Sequence, residues 1–301
     1  MIALILIILT SLFFMGFVIR TKSLASGRKG PSLLQPLFDI VRLLKKDSVY
    51  SSTSSIIFQI APTLYLASVL MAILMIPHSS HEGFISFDGD FVMFAYLLAF
   101  GKFFMIISAL DTGSSFEGMG ASREALFSML VEPAFFILMG SFALYTGHTS
   151  FLDIFSTLHY GSHISYMLGG LATFVFVLIA MIENSRMPVD DPKTHLELTM
   201  VHEVMILDNS GFDLGIIVYT SYLKFAMYGA IISNFFIGSL PLLFSISLFF
   251  AIQIGFAVTI GVIESFMARF RMGHNPQFIF ILTSVSLLIF FGVLLVLGKF
   301  I

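Results

Sequence analysis

The sequence predicts an all-α integral membrane protein: a bundle of eight transmembrane helices with an interfacial amphipathic helix and an acidic loop-helix on the cytoplasmic side. Three observations carry this. The 301 residues are 57% hydrophobic and 11% charged, with a mean hydropathy of +0.99. Soluble domains are about 25% charged, so a water-facing surface could not be covered. The apolar runs are long and unbroken, as helices require, whereas membrane-barrel strands would alternate apolar and polar residues. No domain-sized loop interrupts them, so residues 1–301 form a single membrane domain.

A span needs about 20 apolar residues. Eight stretches qualify: roughly 1–19, 53–76, 91–110, 124–146, 164–182, 215–237, 240–263 and 276–298. The first has no basic residues before it and no small-residue cleavage site after it, so it reads as a span and not as a signal peptide.

Basic residues set the expected orientation. The loop after span one carries Arg20, Lys22, Arg28, Lys29, Arg42, Lys45 and Lys46. Alternation brings Arg123, then Arg186 and Lys193, then Arg269 and Arg271 to the same side, which makes twelve of the fifteen basic residues. This places both termini outside and the acidic loop in the cytoplasm, in the cell inner (cytoplasmic) membrane. On the opposite face His78, His81, His148, His159 and His163 read as solvated loop residues.

Within the first loop, Leu37, Ile40, Val41 and Leu44 share one helical face, with Asp39, Arg42, Lys45 and Lys46 largely off it. The segment is too short to span and reads as a helix lying at the membrane interface. It serves either as an anchor or as a frame for an entrance to the bundle.

The stretch "ENSRMPVDDPKTHLELTMVHEVMILD", residues 183–208, holds six of the eighteen carboxylates. Pro188 and Pro192 stop any helix continuing from span five. Asp191 followed by Pro192 is a good N-cap and first-turn pair, so a new helix is expected there, with Leu196, Met200, Val204 and Leu207 as its apolar stripe. Asp190, Asp208 and Asp213 read as facing water. Glu197 and Glu203 flank the stripe and Glu183 ends a span. A carboxylate so placed loses hydration, holds a proton more readily and exchanges it near physiological pH.

Charges at membrane depth each cost about 2.5–3.5 kcal/mol at a helix centre and by default mark an ion or proton path. Glu132 (followed by Pro133) and Lys224 fit that reading. Lys102 and Glu264 read as lying near the interface, where a lysine can snorkel.

Enzyme signatures fail. "HEVMI" at 202–206 starts like a zinc-protease motif but lacks the second histidine four residues on. No phosphate loop or nucleophile elbow is present, and no catalytic residue is assigned. The chain has no cysteine, which excludes disulfides, thiolate zinc sites and iron–sulfur ligation by this chain.

Three segments carry a resemblance: "GRKGPSLLQPLFDIVRLLKK", "ALDTGSSFEGMGASREALFSMLVEPA" and "ENSRMPVDDPKTHLELTMVHEVMILDNSG". In this order, over nearly the whole chain, they resemble the family of the membrane-embedded quinone-chamber subunit of respiratory NADH dehydrogenase (complex I). The nearest branch is that of membrane-bound [NiFe] hydrogenases of the formate hydrogenlyase type. The resemblance implies an eight-span subunit that anchors a peripheral redox arm and links its electron transfer to proton or sodium movement. It aligns Glu132, Glu183 and Glu197 with the coupling glutamates. Arg186, Pro188, Asp190 and Pro192 align with the loop scaffold, to which Asp191 and His202 are added. The pair His202–Glu203 resembles the hydrogenase branch, whose quinone-using counterpart looks different there. Glu203, Glu197, Glu183, Glu132 and Lys224 could then relay protonation changes.

The same resemblance implies no cofactor in this chain. The [NiFe] centre and iron–sulfur clusters belong to partner subunits: hydrogenase large and small subunits, iron–sulfur subunits and antiporter-like membrane subunits. The bilayer is the other partner, and nucleic acid is not one. Two alternatives stay open: a quinone-binding subunit of an NADH dehydrogenase-like complex, and a stand-alone ion transporter. The lack of an evident internal repeat speaks against the transporter.

Overall fold

The structure is a computed structural model that describes all residues except 1, 80, 160–162, 192–199, 239 and 299–301, and the side chains of 163–165. Among the described residues it is helical with no strand. Eight helices among the described residues are long and apolar enough to cross a membrane.

In chain order the elements are α1 (Ile2–Ala25), α2 (Gln35–Leu44), α3 (Ile56–Ile73), α4 (Asp90–Asp111), α5 (Ser115–Thr146) and α6 (Phe151–His159). Then come α7 (His163–Glu183), the single turn α8 (His202–Met205), α9 (Gly211–Asn234), α10 (Leu242–Phe266), a 3₁₀ turn at Met272–His274 and α11 (Asn275–Val296). A helix covers each of the expected spans, and the short helix α2 lies where the amphipathic one was expected.

Helix α9 is the hub. Its apolar window is 78% buried, against 28% for the last span and 33% for α10. It touches α1, α2, α3, α7 and α10, while α3 packs on α4 and α5 packs on α11. Small residues permit the closest approaches. A Cβ on Gly229 would lie 2.3 Å from Gln253 Oε1, and one on Gly261 would lie 2.8 Å from the Val18 carbonyl oxygen. Phe176, Phe142 and Phe155 surround Phe235 at ring separations of 5.0 to 5.9 Å, closing the core at the end away from the acidic stretch.

Two of the differences from the sequence reading bear on the site. Helix α5 begins at Ser115, nine residues before the expected start at 124, so Glu117, Arg123 and Glu124 are helical. Glu117 and Arg123 looked like loop because composition cannot distinguish a solvated charge from one facing a protein partner. The helix expected from Asp191 onward falls largely on residues 192–199, so Pro192, Glu197 and Leu196 lie outside the described residues. The part described is the short turn α8, with Met200 and Val204 buried but Leu207 55% exposed.

Candidate functional site

The polar stretches after α1, α4, α7 and α10 meet at one end of the bundle, where residues 183–191 lie over the helix ends. Asp190, expected in water, is fully buried and organises this segment. Its Oδ1 accepts from Arg269 at 2.8 Å and from its neighbour's backbone N–H at 2.9 Å. Its Oδ2 accepts from the N–H groups of Val201 and His202 at 3.0 and 3.1 Å. One carboxylate thus fixes the start of α8 against the segment after α10. The backbone adds to this: Phe270 N–H donates to the Pro188 carbonyl, and Asn275 Nδ2 donates to that of Val189. Asp213 is also buried, accepting from Tyr50 Oη at 2.7 Å.

Glu264 was expected near the interface and is buried in an ion-pair triad. Arg186 Nε donates to its Oε1 at 2.6 Å, and Lys22 Nζ lies 3.4 Å from its Oε2. These residues, with Asp191, His202 and Glu203, line a cavity of about 270 Å3 bounded by α1, α9 and the acidic stretch.

One layer deeper lies a second cluster, and here Lys102 corrects the snorkelling expectation. Lys102 on α4 is buried, with Nζ 2.9 Å from Glu124 Oε1 and 3.0 Å from Glu183 Oε2. Lys224 on α9 donates to the same Glu183 oxygen at 3.1 Å and to its carbonyl oxygen at 2.9 Å, with Nζ 5.8 Å from the Tyr65 ring centre. Ser185 Oγ donates to Glu124 Oε2 at 3.0 Å, tying the cluster to the acidic stretch. Two lysines and two glutamates therefore form a neutral chain across α4, α5, α7 and α9. Charges taken out of water persist only when paired and hydrogen-bonded in this way. Glu183 is thus flanked by two cations, which the sequence did not suggest.

From this chain a cavity of about 40 Å3, lined by Lys102, Glu183, Glu132 and Tyr228, leads sideways. That volume holds roughly two or three waters. It opens beside a groove of about 530 Å3 on the outer face of α4 and α5, lined by Tyr96, Phe100, Lys102, Ser128 and Glu132. Of the expected site residues, the structure brings together Glu183, Lys224 and Glu132 in the deep layer. Arg186, Pro188, Asp190, Asp191, His202 and Glu203 gather in the upper one.

Sequence reasoning missed Glu124, the partner of Lys102. Its one available signal was a glutamate opening an apolar run. The histidine expectation fails at His78, which is 2% exposed with its Nε2 3.0 Å from Ser245 Oγ. His159 lies on α6, with Nδ1 2.6 Å from the Phe155 carbonyl oxygen.

Fold and site together define a multi-pass helical membrane protein built round two stacked layers of buried ion pairs. Residues 1–295 match the family described as NADH dehydrogenase, and the chain belongs to that family. It is similar to hydrogenase-4 component C of Escherichia coli (strain K12), 33% identical over 196 residues, 65% of this chain and 62% of the relative. With formate hydrogenlyase subunit 4 of the same organism it shares 30% identity over 198 residues, 66% of this chain and 64% of the relative. The matched part spans somewhat under two thirds of the length of these two relatives. A chain in the structure of the membrane-bound sulfane sulfur reductase, an archaeal respiratory membrane complex, superposes with a TM-score of 0.81, covering 97% of both chains at 17% identity. That likeness speaks for the fold.

Proposed function

We propose that this chain is the membrane anchor and energy-coupling subunit of a multi-subunit membrane-bound hydrogenase of the formate hydrogenlyase kind. In this reading it sits in the cell inner membrane with both termini outside and the acidic stretch in the cytoplasm, as the distribution of basic residues favours. The stretch carries the peripheral arm of hydrogenase large and small subunits and iron–sulfur subunits, which hold the [NiFe] centre and the clusters. This cysteine-free chain offers no thiolate for either.

The observation that carries the proposal is the chain Glu124–Lys102–Glu183–Lys224, joined to the acidic stretch by Ser185 and Lys224 and to the side of the bundle by Glu132. As the cluster is neutral, a proton arriving on Glu183 leaves it with one excess positive charge. Lys102 then has only Glu124 opposite, and the low dielectric magnifies that imbalance. The excess is relieved by releasing a proton toward Glu132 and an antiporter-like subunit against the α4–α5 groove. Redox change in the arm acts by altering the field at the acidic stretch, including Glu197 and Glu203, and so sets which proton occupancy is favoured.

The test measures ion movement and electron transfer separately in the intact complex in proteoliposomes. Glu132→Gln should retain assembly and electron transfer but lose coupled ion movement, and Glu183→Gln should lose it too, at an added cost in stability because Lys102 and Lys224 are left facing each other. Full coupling in both variants would overturn the reading. The cavity bounded by Lys22, His202 and Glu264 favours a second reading, in which a quinone headgroup enters there. Quinone-dependent activity of the complex, lost when the cavity is filled by Ser221→Phe, would select it.

A further inference from the structure

Helix α2 has three faces, not two. At 3.6 residues per turn, Pro36, Ile40 and Leu43 point one way, and Pro36 and Ile40 are buried. Gln35, Asp39, Arg42 and Lys46 form a polar face. Between them runs a second apolar stripe, Leu34, Leu37, Phe38 and Val41, and it faces outward: Leu34 is 37% exposed, Phe38 50% and Val41 38%. The stripe continues into Lys45, two turns beyond Phe38.

The helix is held level with the bundle's end. A Cβ on Gly215 would lie 3.1 Å from Leu43 Cβ and from Leu44 Cδ2, and one on Gly211 would collide with the Asp47 carbonyl oxygen, both glycines being in the first turns of α9. Val49 N–H donates to Ser210 Oγ at 3.0 Å. The first turns of a spanning helix mark the edge of the hydrocarbon, so the outward stripe meets lipid at headgroup depth. The exposed charged side chains of this segment are mostly basic. Residues 28–47 carry Arg28, Lys29, Arg42, Lys45 and Lys46 against Asp39 and Asp47, five positive charges to two negative. Arg42 is 3.7 Å from Asp39, a loose and exposed pair. Lys22, nearby in sequence, is directed inward to Glu264.

We propose that α2 and the basic turn before it form a docking site for anionic phospholipid, with acyl chains along Leu34, Phe38 and Val41 and headgroup phosphates beside Arg28 and Lys29 before the helix and beside Lys45 and Lys46 after it. The occupant follows from the combination. An outward apolar stripe alone would accept any lipid, whereas a positive rim at phosphate depth favours the anionic ones. Each basic residue near an anionic surface contributes a factor of about five in association. This site does not rest on the coupling role.

The chain contains no tryptophan, so Phe38→Trp in the full-length protein gives a sole reporter on the outward stripe. Reconstituted in phosphatidylcholine–phosphatidylglycerol vesicles, it is quenched by whichever lipid carries brominated chains. Quenching should report a preference for phosphatidylglycerol of at least about threefold. That preference should collapse toward one in high salt and in the Lys45→Gln/Lys46→Gln background. Equal quenching by the two lipids overturns the proposal, since the face then takes lipid without selection. No quenching by either overturns it too, because another protein surface or water then covers α2. Val41→Trp repeats the measurement should Phe38→Trp fail to fold, and the same outcomes decide it.

Discussion

Arg186 Nε donates to Glu264 Oε1 at 2.6 Å, fastening the acidic stretch just after α7 to the last turn of α10 across 78 residues of sequence. The Glu264 side chain is 2% exposed and also receives Lys22. Removing this one carboxylate therefore leaves two cations facing each other in a half-closed cavity. Breaking a buried pair from one side costs about 3–5 kcal/mol. Glu264→Gln should lower the detergent-solubilised melting temperature and loosen residues 184–191 toward protease. Arg186→Gln should do less, since Lys22 still neutralises the carboxylate. Unchanged melting and protection in Glu264→Gln would show that the triad holds nothing in place.

The deeper cluster is asymmetric. Lys102 contacts both Glu124 and Glu183, whereas Lys224 contacts Glu183 alone. Lys102→Met strands Glu124 in a buried place, while Lys224→Met leaves Glu183 its bond to Lys102. The first should therefore be the more destabilising, by about 3–5 kcal/mol in a one-sided break. Adding Glu124→Gln should recover part of the loss, a coupling above about 1 kcal/mol in a double-mutant cycle. Equal melting shifts for the two lysine variants, with no recovery, would refute this assignment of partners.

Helix α8 docks on α5 through Gly120. A Cβ there would lie 2.7 Å from Met205 N and 2.8 Å from the Val201 carbonyl oxygen, both backbone atoms that cannot step aside. Gly120→Ala should push α8 off its seat, costing about 1–3 kcal/mol as overpacking does, and shift Asp190 from the N–H groups of Val201 and His202. Gly118→Ala is the control, with only Leu110 Cδ2 near at 3.9 Å. It should be neutral or gain up to about 1 kcal/mol of helix propensity. Hydrogen exchange at Val201 and His202 distinguishes them: faster in Gly120→Ala, unchanged in Gly118→Ala.

The spans were legible because hydropathy summed over some twenty residues is a local property, and the bilayer demands it of every spanning helix. The interfacial helix was legible for a similar reason, though only its periodicity was visible. That α2 has separate inward and outward apolar stripes depends on α9. Pairing was not legible. Nothing near Lys102 in the chain announces Glu124 or Glu183, because burial and opposite charge are supplied by helices far along the sequence. Asp190 illustrates the failure from the other side. In a loop rich in polar residues it reads as solvated, yet it is fully buried because four donors converge on it. Glu132 was singled out for its depth, and depth is what a sequence reveals. Its position on an outer groove beside the Lys102 cavity needed the packing of α4 on α5.

At the far end of the bundle, His78 gives a pH dependence with a definite sign. Its ring packs edge-on to Phe249 at 5.6 Å and its Nε2 meets Ser245 Oγ, while Asn234 Nδ2 donates to the adjoining Pro77 carbonyl. Burial, aided by nearby His81, holds the imidazole below its ordinary value of 6.5. The folded protein therefore resists protonation that the unfolded chain accepts. Stability from this side chain is present above pH about 6.5 and is lost progressively as pH falls below it toward the lowered folded value. The wild type should lose melting temperature between pH 7.5 and 5, and part of that slope should vanish in His78→Gln, whose amide can still reach Ser245. His148→Gln, on an exposed residue of the same face, should leave the slope intact. A wild-type slope retained in full by His78→Gln would assign the acid sensitivity to other groups.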